Sequence, residues 1–128
     1  MTHAVVVDAA NVVGSRPDGW WRDRAGAARR LRAELEAWLT AGPADIDAVV
    51  MVVEGAARPV ARDGGGLVRI VAAAGSGDDT IVDTAAELAA GEIPVIVVTA
   101  DRELRERVRA VGATTESPSW LWSRLNAG

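Results

Sequence analysis

Short apolar runs alternate with segments of helical periodicity along the whole chain, and this alternation restricts the fold more than any other feature. The runs are rich in Val and Ile and carry no alternating polar residues, which is typical of strands buried on both faces of a parallel sheet. Helical crossovers join such strands, so we predict an α/β fold. The predicted strands are residues 4–7, 48–53, 67–72 and 93–99, with residues 113–116 left open as a short fifth strand, and the predicted helices are residues 22–39, 78–90, 102–111 and 118–125.

The connection between the second and third predicted strands is the weakest step of this prediction. The segment from Glu54 to Leu67 is barely long enough for a parallel crossover. Asp63, Gly64 and Gly65 could instead form the turn of a hairpin. Residues 55–66 are expected to be loop-like, with one helical turn at most, and both kinds of connection stay open.

The composition fits one globular domain, residues 1–128, and excludes several classes of protein. With 49% hydrophobic and 25% charged residues, the chain has ample material for a core. It has no cysteine, so disulfides and thiolate metal sites are excluded. All 14 basic residues are Arg, which excludes P-loop and Schiff-base chemistry because both require Lys. The apolar run at residues 4–7 is too short for a signal peptide or membrane span, so we expect a cytoplasmic protein.

The net charge of −4 is distributed unevenly. Residues 16–32 hold six Arg against two Asp, which leaves this segment at +4 and the rest of the chain at −8. Arg suits phosphate through its planar guanidinium, and an aromatic ring flanked by Arg can stack a base. The alternative is a solvated helix face and a Trp that packs the helix onto the sheet. The candidate substrate-binding residues are Arg16, Trp20, Arg22 and Arg24.

A carboxylate follows each of the first four predicted strands. Asp8 follows the first, Glu54 the second, Asp78 and Asp79 the third after a Gly-rich turn, and Asp101 the fourth. A parallel sheet brings these strand ends to one edge, where ligands bind in open α/β folds. Clustered carboxylates raise one another's pKa unless a cation is present, and all-oxygen ligands favour Mg²⁺ or Mn²⁺ over Zn²⁺. The sequence therefore predicts a Mg²⁺ or Mn²⁺ site at this edge.

Structural roles for most of these acids stay open. Asp78 and Asp101 each stand where they could simply cap a helix. Glu54 could be an ordinary surface residue, and Asp83, which would share a helix face with Asp79, is as readily solvated as functional. Asp8 is the hardest to explain without a ligand, because it directly follows a buried strand.

Three segments, in order, resemble the motifs of NYN domains, which belong to the PIN-like ribonuclease superfamily. VVVDAANVVGSRPDG resembles their opening Asp-x-x-Asn, with Asp8 and Asn11 in those places. GSGDDTIVDTAAELA resembles their second acidic motif, in which an Asp opens a helix, and VIVVTADRELRERV resembles the third, Thr-x-Asp at the end of the fourth strand. The match spans residues 4–112. No single motif is very specific, but all three stand in order at the expected strand ends.

The resemblance implies a fold and an activity. The fold would be a three-layer sandwich around a mainly parallel sheet of four to five strands in the order 3-2-1-4-5. The activity would be endonucleolytic cleavage of RNA phosphodiesters by a water that Mg²⁺ or Mn²⁺ activates. Carried over to this chain, the metal ligands would be Asp8, Asp78 and Asp101, with Asp79 as an auxiliary ligand.

The resemblance also implies roles for neutral and basic residues. Asn11 would orient Asp8 or contact a phosphate, and it counts with Asp8, Asp78 and Asp101 among the catalytic candidates. Arg16 or Arg22 could stabilise the charge that develops in the transition state.

The chain departs from the family's pattern in one acid. Many relatives carry a further acid on the helix after the first strand, whereas Glu34 and Glu36 lie far along that helix here. Glu54 could take this place, and Asp83 is a further candidate.

Two other functions would use the same residues or the same fold. A metal-dependent nucleotide pyrophosphohydrolase would use the same carboxylates, and an acidic chain suits a small substrate. A non-catalytic nucleic-acid-binding module would need the fold alone, although all the acids are intact. RNA or a nucleotide is thus the expected partner. A homodimer and an antitoxin partner are left open, and no membrane is expected.

Overall fold

The computed structural model describes residues 2–127, and within them five strands form one sheet. The strands are β1 (His3–Asp8), β2 (Ile46–Val53), β3 (Arg69–Ala72), β4 (Val95–Val98) and β5 (Thr114–Glu116). Every neighbouring pair is parallel, and the order is β3-β2-β1-β4-β5. This confirms the parallel α/β prediction and the PIN-like strand order that the resemblance implies.

Helices connect all of these strands. Within the described residues they are α1 (Ala9–Gly14), α2 (Arg24–Thr40), α3 (Gly77–Ala89), α4 (Arg102–Ala110) and α5 (Pro118–Asn126), with 3₁₀ segments at Trp20–Arg22 and Gly55–Arg62. From residue 2 to residue 127, no helix combines the length and apolarity that a membrane crossing requires.

Helix α1 was not predicted, because six residues carry too little periodicity to reveal a helix. It begins directly at the end of β1, where the Asp8 carboxylate accepts the backbone N–H of Asn11 at 3.3 Å. Its apolar side points inward, since Ala9 and Val12 are buried. The first strand therefore continues straight into a helical turn, without the loop that usually separates the two.

The connection from β2 to β3 is a crossover, so the hairpin alternative is wrong. The 3₁₀ segment after β2 buries Val60 in the core. Beyond it, the Glu36 carboxylate on α2 accepts the backbone N–H groups of Leu67 and Val68 at 2.8 and 2.9 Å. These two amides thus bond to a helix side chain, and β3 begins two residues later than predicted.

The sheet is covered on both faces, which explains why its three central strands, β2, β1 and β4, are mostly apolar. On one face Val5 packs in a buried cluster with Leu35 of α2 and Leu121 of α5. On the other face Val6 packs in a second cluster with Leu104 of α4. Because both clusters are closed by helices, polar groups of the strands reach solvent only at the sheet edges.

Arg124 joins α5 to the segment before β2. Its terminal nitrogens donate to the Asp45 carboxylate at 2.9 and 2.5 Å. Its guanidinium carbon also lies 5.5 Å from the ring centre of Trp38 and 5.4 Å from that of Trp120. A planar guanidinium can stack on rings and pair with a carboxylate together, whereas an ammonium cannot.

We expect Arg124→Met to lower the free energy of unfolding by about 1–2 kcal/mol, mostly through the lost ring contacts, because an exposed ion pair contributes little. Arg124→Lys should recover less than half of that loss. Urea denaturation measures both changes. Arg30→Met, at an exposed position of α2, is the matched control and should change stability by less than ~0.5 kcal/mol. An equal loss in the control would contradict this role for Arg124.

Candidate active site

At the carboxyl edge of the sheet, helices begin at or shortly after the strand ends, and an Asp is the N-cap of two of these helices. Asp8 ends β1 and caps α1 through the Asn11 N–H. Asp101 caps α4 and accepts the Leu104 N–H at 3.0 Å. A capping side chain is held at the helix N-terminus, so both carboxylates are fixed at the edge where ligands bind in this class of fold. The capping role that the sequence left open for Asp101 is confirmed.

Asp8 is a buried carboxylate, with only 8% of its surface exposed. Burial, and to a lesser extent the nearby negative charges of Glu54 and Asp78, raise its pKa from 3.8 to about 6. Hydrogen bonds from the Thr99 hydroxyl and the Asn11 backbone oppose this rise but do not cancel it. The neighbouring charges that act on Asp8 are thus of its own sign, and its ionised form is destabilised.

Thr99 links the Asp8 carboxylate to the backbone of Asp101, and sequence reasoning gave it no role of its own. It is fully buried, its hydroxyl donates to Asp8 Oδ2 at 2.9 Å, and the same oxygen accepts the Asp101 N–H at 3.2 Å. The Thr of the Thr-x-Asp motif was the available signal. Its partner lies 91 positions away in the sequence, so only the folded sheet shows the contact.

Asn11 links the end of β1 to the segment that follows β4. Its side-chain oxygen accepts the Ala100 N–H at 2.9 Å, while its backbone N–H orients Asp8. The contact with Asp8 comes from the Asn11 backbone, so the role expected for the Asn11 side chain stays a prediction. With the oxygen so occupied, the carboxamide nitrogen is the part of Asn11 that can serve a substrate.

Asp78 does not cap its helix, so that alternative is wrong. The N-cap of α3 is Ser76, and Asp78 is the second residue of the helix. Between residues 2 and 127 no side-chain or backbone group donates a hydrogen bond to the Asp78 carboxylate. Burial raises its pKa, and the negative charges of Asp101 and Glu54 raise it further. Asp78 is thus available to a ligand.

Glu54 lies among these acids and is held by the Gly-rich turn. Its carboxylate accepts the backbone N–H of Gly77 at the start of α3, and its charge raises the pKa of both Asp8 and Asp78. A Cβ on Gly77 would lie 2.8 Å from the Glu54 carboxylate oxygen. A side chain at position 77 would thus push the Glu54 carboxylate aside, and the surface-only reading of Glu54 is wrong because its carboxylate is bonded to the start of α3.

Asp79 and Asp83 stand apart from this group. The Asp79 side chain is 80% exposed and accepts from Arg107 at 2.7 Å. Asp83 is exposed on α3, one helical turn further along. Arg107, which the sequence did not single out, also lowers the pKa of Asp78. The structure thus brings together Asp8, Glu54, Asp78 and Asp101 and leaves the other two acids outside.

The donor chemistry of this site fits a hard divalent cation, although the side chains do not form a ready-made ligand set. Asp8, Asp78 and Asp101 offer carboxylate oxygens, the ligands that Mg²⁺ and Mn²⁺ prefer. The pKa values of Asp8 and Asp78 are raised first by burial and then by neighbouring carboxylates, and a bound cation would offset both effects. Across residues 2–127, however, no three His, Cys, Asp or Glu side chains stand in a metal-binding arrangement.

The predicted substrate-binding residues separate into two places. Trp20 and Arg24 line a cleft of about 410 Å³ that Glu54 also borders. Arg22 lies instead over the exposed Trp21, with its guanidinium carbon 5.8 Å from the ring centre. The structure thus assigns Trp20 and Arg24, and not Arg22, to the cleft beside the acids.

Arg16 occupies a separate groove. Its guanidinium carbon lies 3.5 Å from the ring centre of Trp122, and both residues line an open groove of about 470 Å³ that also reaches Ala100. The Trp122 indole donates to the Ser15 hydroxyl at 2.9 Å. Arg16 is therefore near the end of β4 but is already stacked on an aromatic ring.

No family model matches this chain, and no curated protein matches it. The solved structures that are similar to it include two of one protein. Rae1 (YacP) from Bacillus subtilis aligns with a TM-score of 0.82 and 16% identity over 98% of this chain and 75% of Rae1. A Trp-to-Leu mutant of the same protein aligns with a TM-score of 0.79 and 17% identity over 98% of this chain and 76% of the mutant. At these identities the similarity establishes a shared fold.

Proposed function

We propose that this chain is a metal-dependent endoribonuclease with its active site at Asp8, Asp78 and Asp101. The observation that carries the proposal is the buried Asp8 carboxylate, whose charged neighbours Glu54 and Asp78 are both acidic. Burying such a charge destabilises a fold, so a bound ligand of opposite charge gives it a reason. The NYN-like motifs and the PIN-like strand order support the same activity.

The metal would be Mg²⁺ or Mn²⁺, held by Asp8, Asp78 and Asp101, with Glu54 as a further carboxylate close by. When bound, such an ion supplies Lewis acidity toward the scissile phosphate. Asp79 keeps a secondary part in the proposal, because its contact with Arg107 would have to loosen before it could bind anything else.

The remaining residues orient and balance the site. The Thr99 hydroxyl donates to Asp8 and so favours the ionised form that a metal requires. Asn11, anchored by the Ala100 N–H, has its carboxamide nitrogen left to donate to a phosphate oxygen. Arg24, at the neighbouring cleft, offers a charged donor to the RNA backbone.

A nucleotide pyrophosphohydrolase is the second candidate, and two observations favour it. The chain carries a net charge of −4, which is unfavourable for long polyanions. The cleft of about 410 Å³ also lies within the ~300–1,000 Å³ range of small-molecule sites. A non-catalytic nucleic-acid-binding module would not explain why the Asp8 carboxylate is buried in an environment that destabilises its ionised form.

Incubation with Mn²⁺ and a mixed single-stranded RNA, beside a panel of nucleoside triphosphates, tests the proposal. We expect internal cleavage of the RNA, loss of cleavage with EDTA, and a loss on the order of 100-fold or more in Asp101→Asn. Asp47→Asn, at an exposed position near the opposite end of β2, is the matched control and should cleave normally. Turnover of triphosphates alone would replace the first candidate by the second. Inertness toward both substrates would overturn both.

A further inference from the structure

A cleft opens beside the acidic residues, and the roles assigned above leave its interior unused. Its walls include Ala side chains from α1, α2 and the 3₁₀ segment after β2. Trp20, Arg24, Glu54 and Ser76 also line it. Ala9, which directly follows Asp8, also borders the cleft. A molecule bound here would therefore lie next to the proposed catalytic carboxylates.

The Trp20 ring forms an aromatic wall with a cation beside it. Trp21 meets Trp20 edge-on, with ring centres 5.9 Å apart and an interplanar angle of 88°. The Arg24 guanidinium carbon lies 5.4 Å from the centre of the Trp20 ring. A ring flanked by Arg can stack a nucleobase while the cation contacts the adjoining phosphate. Charge and shape thus favour a nucleotide unit over a purely apolar ligand.

Few polar groups of the cleft can read the edge of a base. The Glu54 carboxylate is already bonded to the Gly77 N–H. Ser76 caps α3 without a side-chain hydrogen bond, which leaves its hydroxyl available. The other lining side chains, Arg24 apart, are small and apolar or aromatic. Recognition here would rest on stacking, which tolerates every base because each has an aromatic face.

We propose that this cleft receives one unpaired nucleobase of a single-stranded RNA, stacked on Trp20, with Arg24 on the adjoining phosphate. The assignment rests on the proposed function and names its substrate class: single-stranded RNA, with little preference among bases. A paired base would first have to leave its helix, at a cost of a few kcal/mol. Duplex RNA is therefore a poor occupant.

Binding without metal tests this proposal separately from cleavage. Fluorescence anisotropy with a labelled six-nucleotide single-stranded RNA in EDTA gives a dissociation constant for each variant. We expect Trp20→Ala to weaken binding about tenfold or more. Ala10→Leu, from an exposed cleft position of α1, should fill the cleft and weaken binding similarly. Trp21→Ala is the matched control and should stay within about twofold, because its ring is 54% exposed and outside the cleft.

The second variant keeps the test valid if Trp20→Ala unfolds, because Trp20 is partly buried. Unchanged binding by Ala10→Leu, equal binding of a blunt duplex, or tighter binding of a nucleoside triphosphate would each overturn the proposal, as would absence of wild-type binding. The binding assay contains no metal, so its result does not depend on cleavage. RNA that binds in EDTA but is not cleaved with Mn²⁺ would contradict the proposed nuclease function and leave the base site standing. If Ala10→Leu cleaves RNA at the wild-type rate, the base site is contradicted and the nuclease function stands.

Discussion

Asp8→Asn is expected to abolish RNA cleavage while making the metal-free protein more stable at pH 7. Removal of a metal ligand withdraws several kcal/mol of transition-state stabilisation, so the rate should fall on the order of 1,000-fold or more. The stability gain follows from burial, which raises the pKa of Asp8 from 3.8 to about 6. The two-unit shift corresponds to about 3 kcal/mol against the ionised form. An Asn avoids this penalty and keeps an oxygen for the Asn11 N–H, so a gain of about 1–3 kcal/mol is expected.

Two measurements on the same samples check this prediction: the cleavage rate with Mn²⁺, and urea denaturation in EDTA at pH 7. Mn²⁺ should raise the melting temperature of the wild-type chain but not of Asp8→Asn. Asp47→Asn removes one exposed carboxylate elsewhere and should change neither rate nor stability appreciably. An unfolded Asp8→Asn protein would show that this Asp is structural. A folded variant with full activity would remove Asp8 from the active site.

The stability of the metal-free wild-type chain is expected to fall as the pH rises from about 4 to 7. Asp8 has a pKa of about 6 in the folded chain and 3.8 in the unfolded chain. Between these values the folded chain retains a proton that the unfolded chain has released, so the free energy of unfolding decreases with pH. The full contribution is about 3 kcal/mol. Asp78, whose pKa is also raised, chiefly by burial, acts in the same direction.

Other acids act in a separate range of pH. Hydrogen bonds from Arg lower the pKa values of Asp45 and Asp63, so their contributions are present above 3.8 and are lost only as the pH falls below it. Because Asp78 acts in the same range as Asp8, the Asp8 effect is isolated by comparing the wild-type chain with Asp8→Asn in urea denaturation in EDTA between pH 4 and 7. The wild-type curve should decline through this range relative to that of Asp8→Asn. Parallel curves for the two proteins would contradict the assigned shift.

The predictions for Asp8→Asn and for the pH dependence of stability both follow from one property of the site: the ionised Asp8 carboxylate is destabilised when no metal is bound. A carboxylate that is destabilised in the metal-free protein gains most from a bound cation, because the cation offsets both the burial and the repulsion from Glu54 and Asp78. Sites that bind charge often carry such a stability cost. A protein that is more stable but inactive after Asp8→Asn is the result that a functional role predicts.

Much of the fold could be predicted from the sequence, because the signals for it are local. The unbroken Val-rich runs of β1, β2 and β4 require burial on both faces, and that requirement implies a parallel sheet with helices on each side. The positions of Asp8 and Asp101 at strand ends followed from the same pattern. The six-residue α1 could not be predicted in this way, since its first turn depends on a cap and not on periodicity.

The local sequence pattern thus predicts the layer architecture and which acids stand at the carboxyl edge of the sheet. Only the tertiary structure decided how they are engaged: Thr99 bonded to Asp8, Glu54 bonded to the Gly77 N–H, and Asp79 drawn away to Arg107. The physical reason is range. Hydrophobic periodicity is set by neighbours within a few residues, whereas these bonds join residues 91, 23 and 28 positions apart and exist only once the sheet has packed.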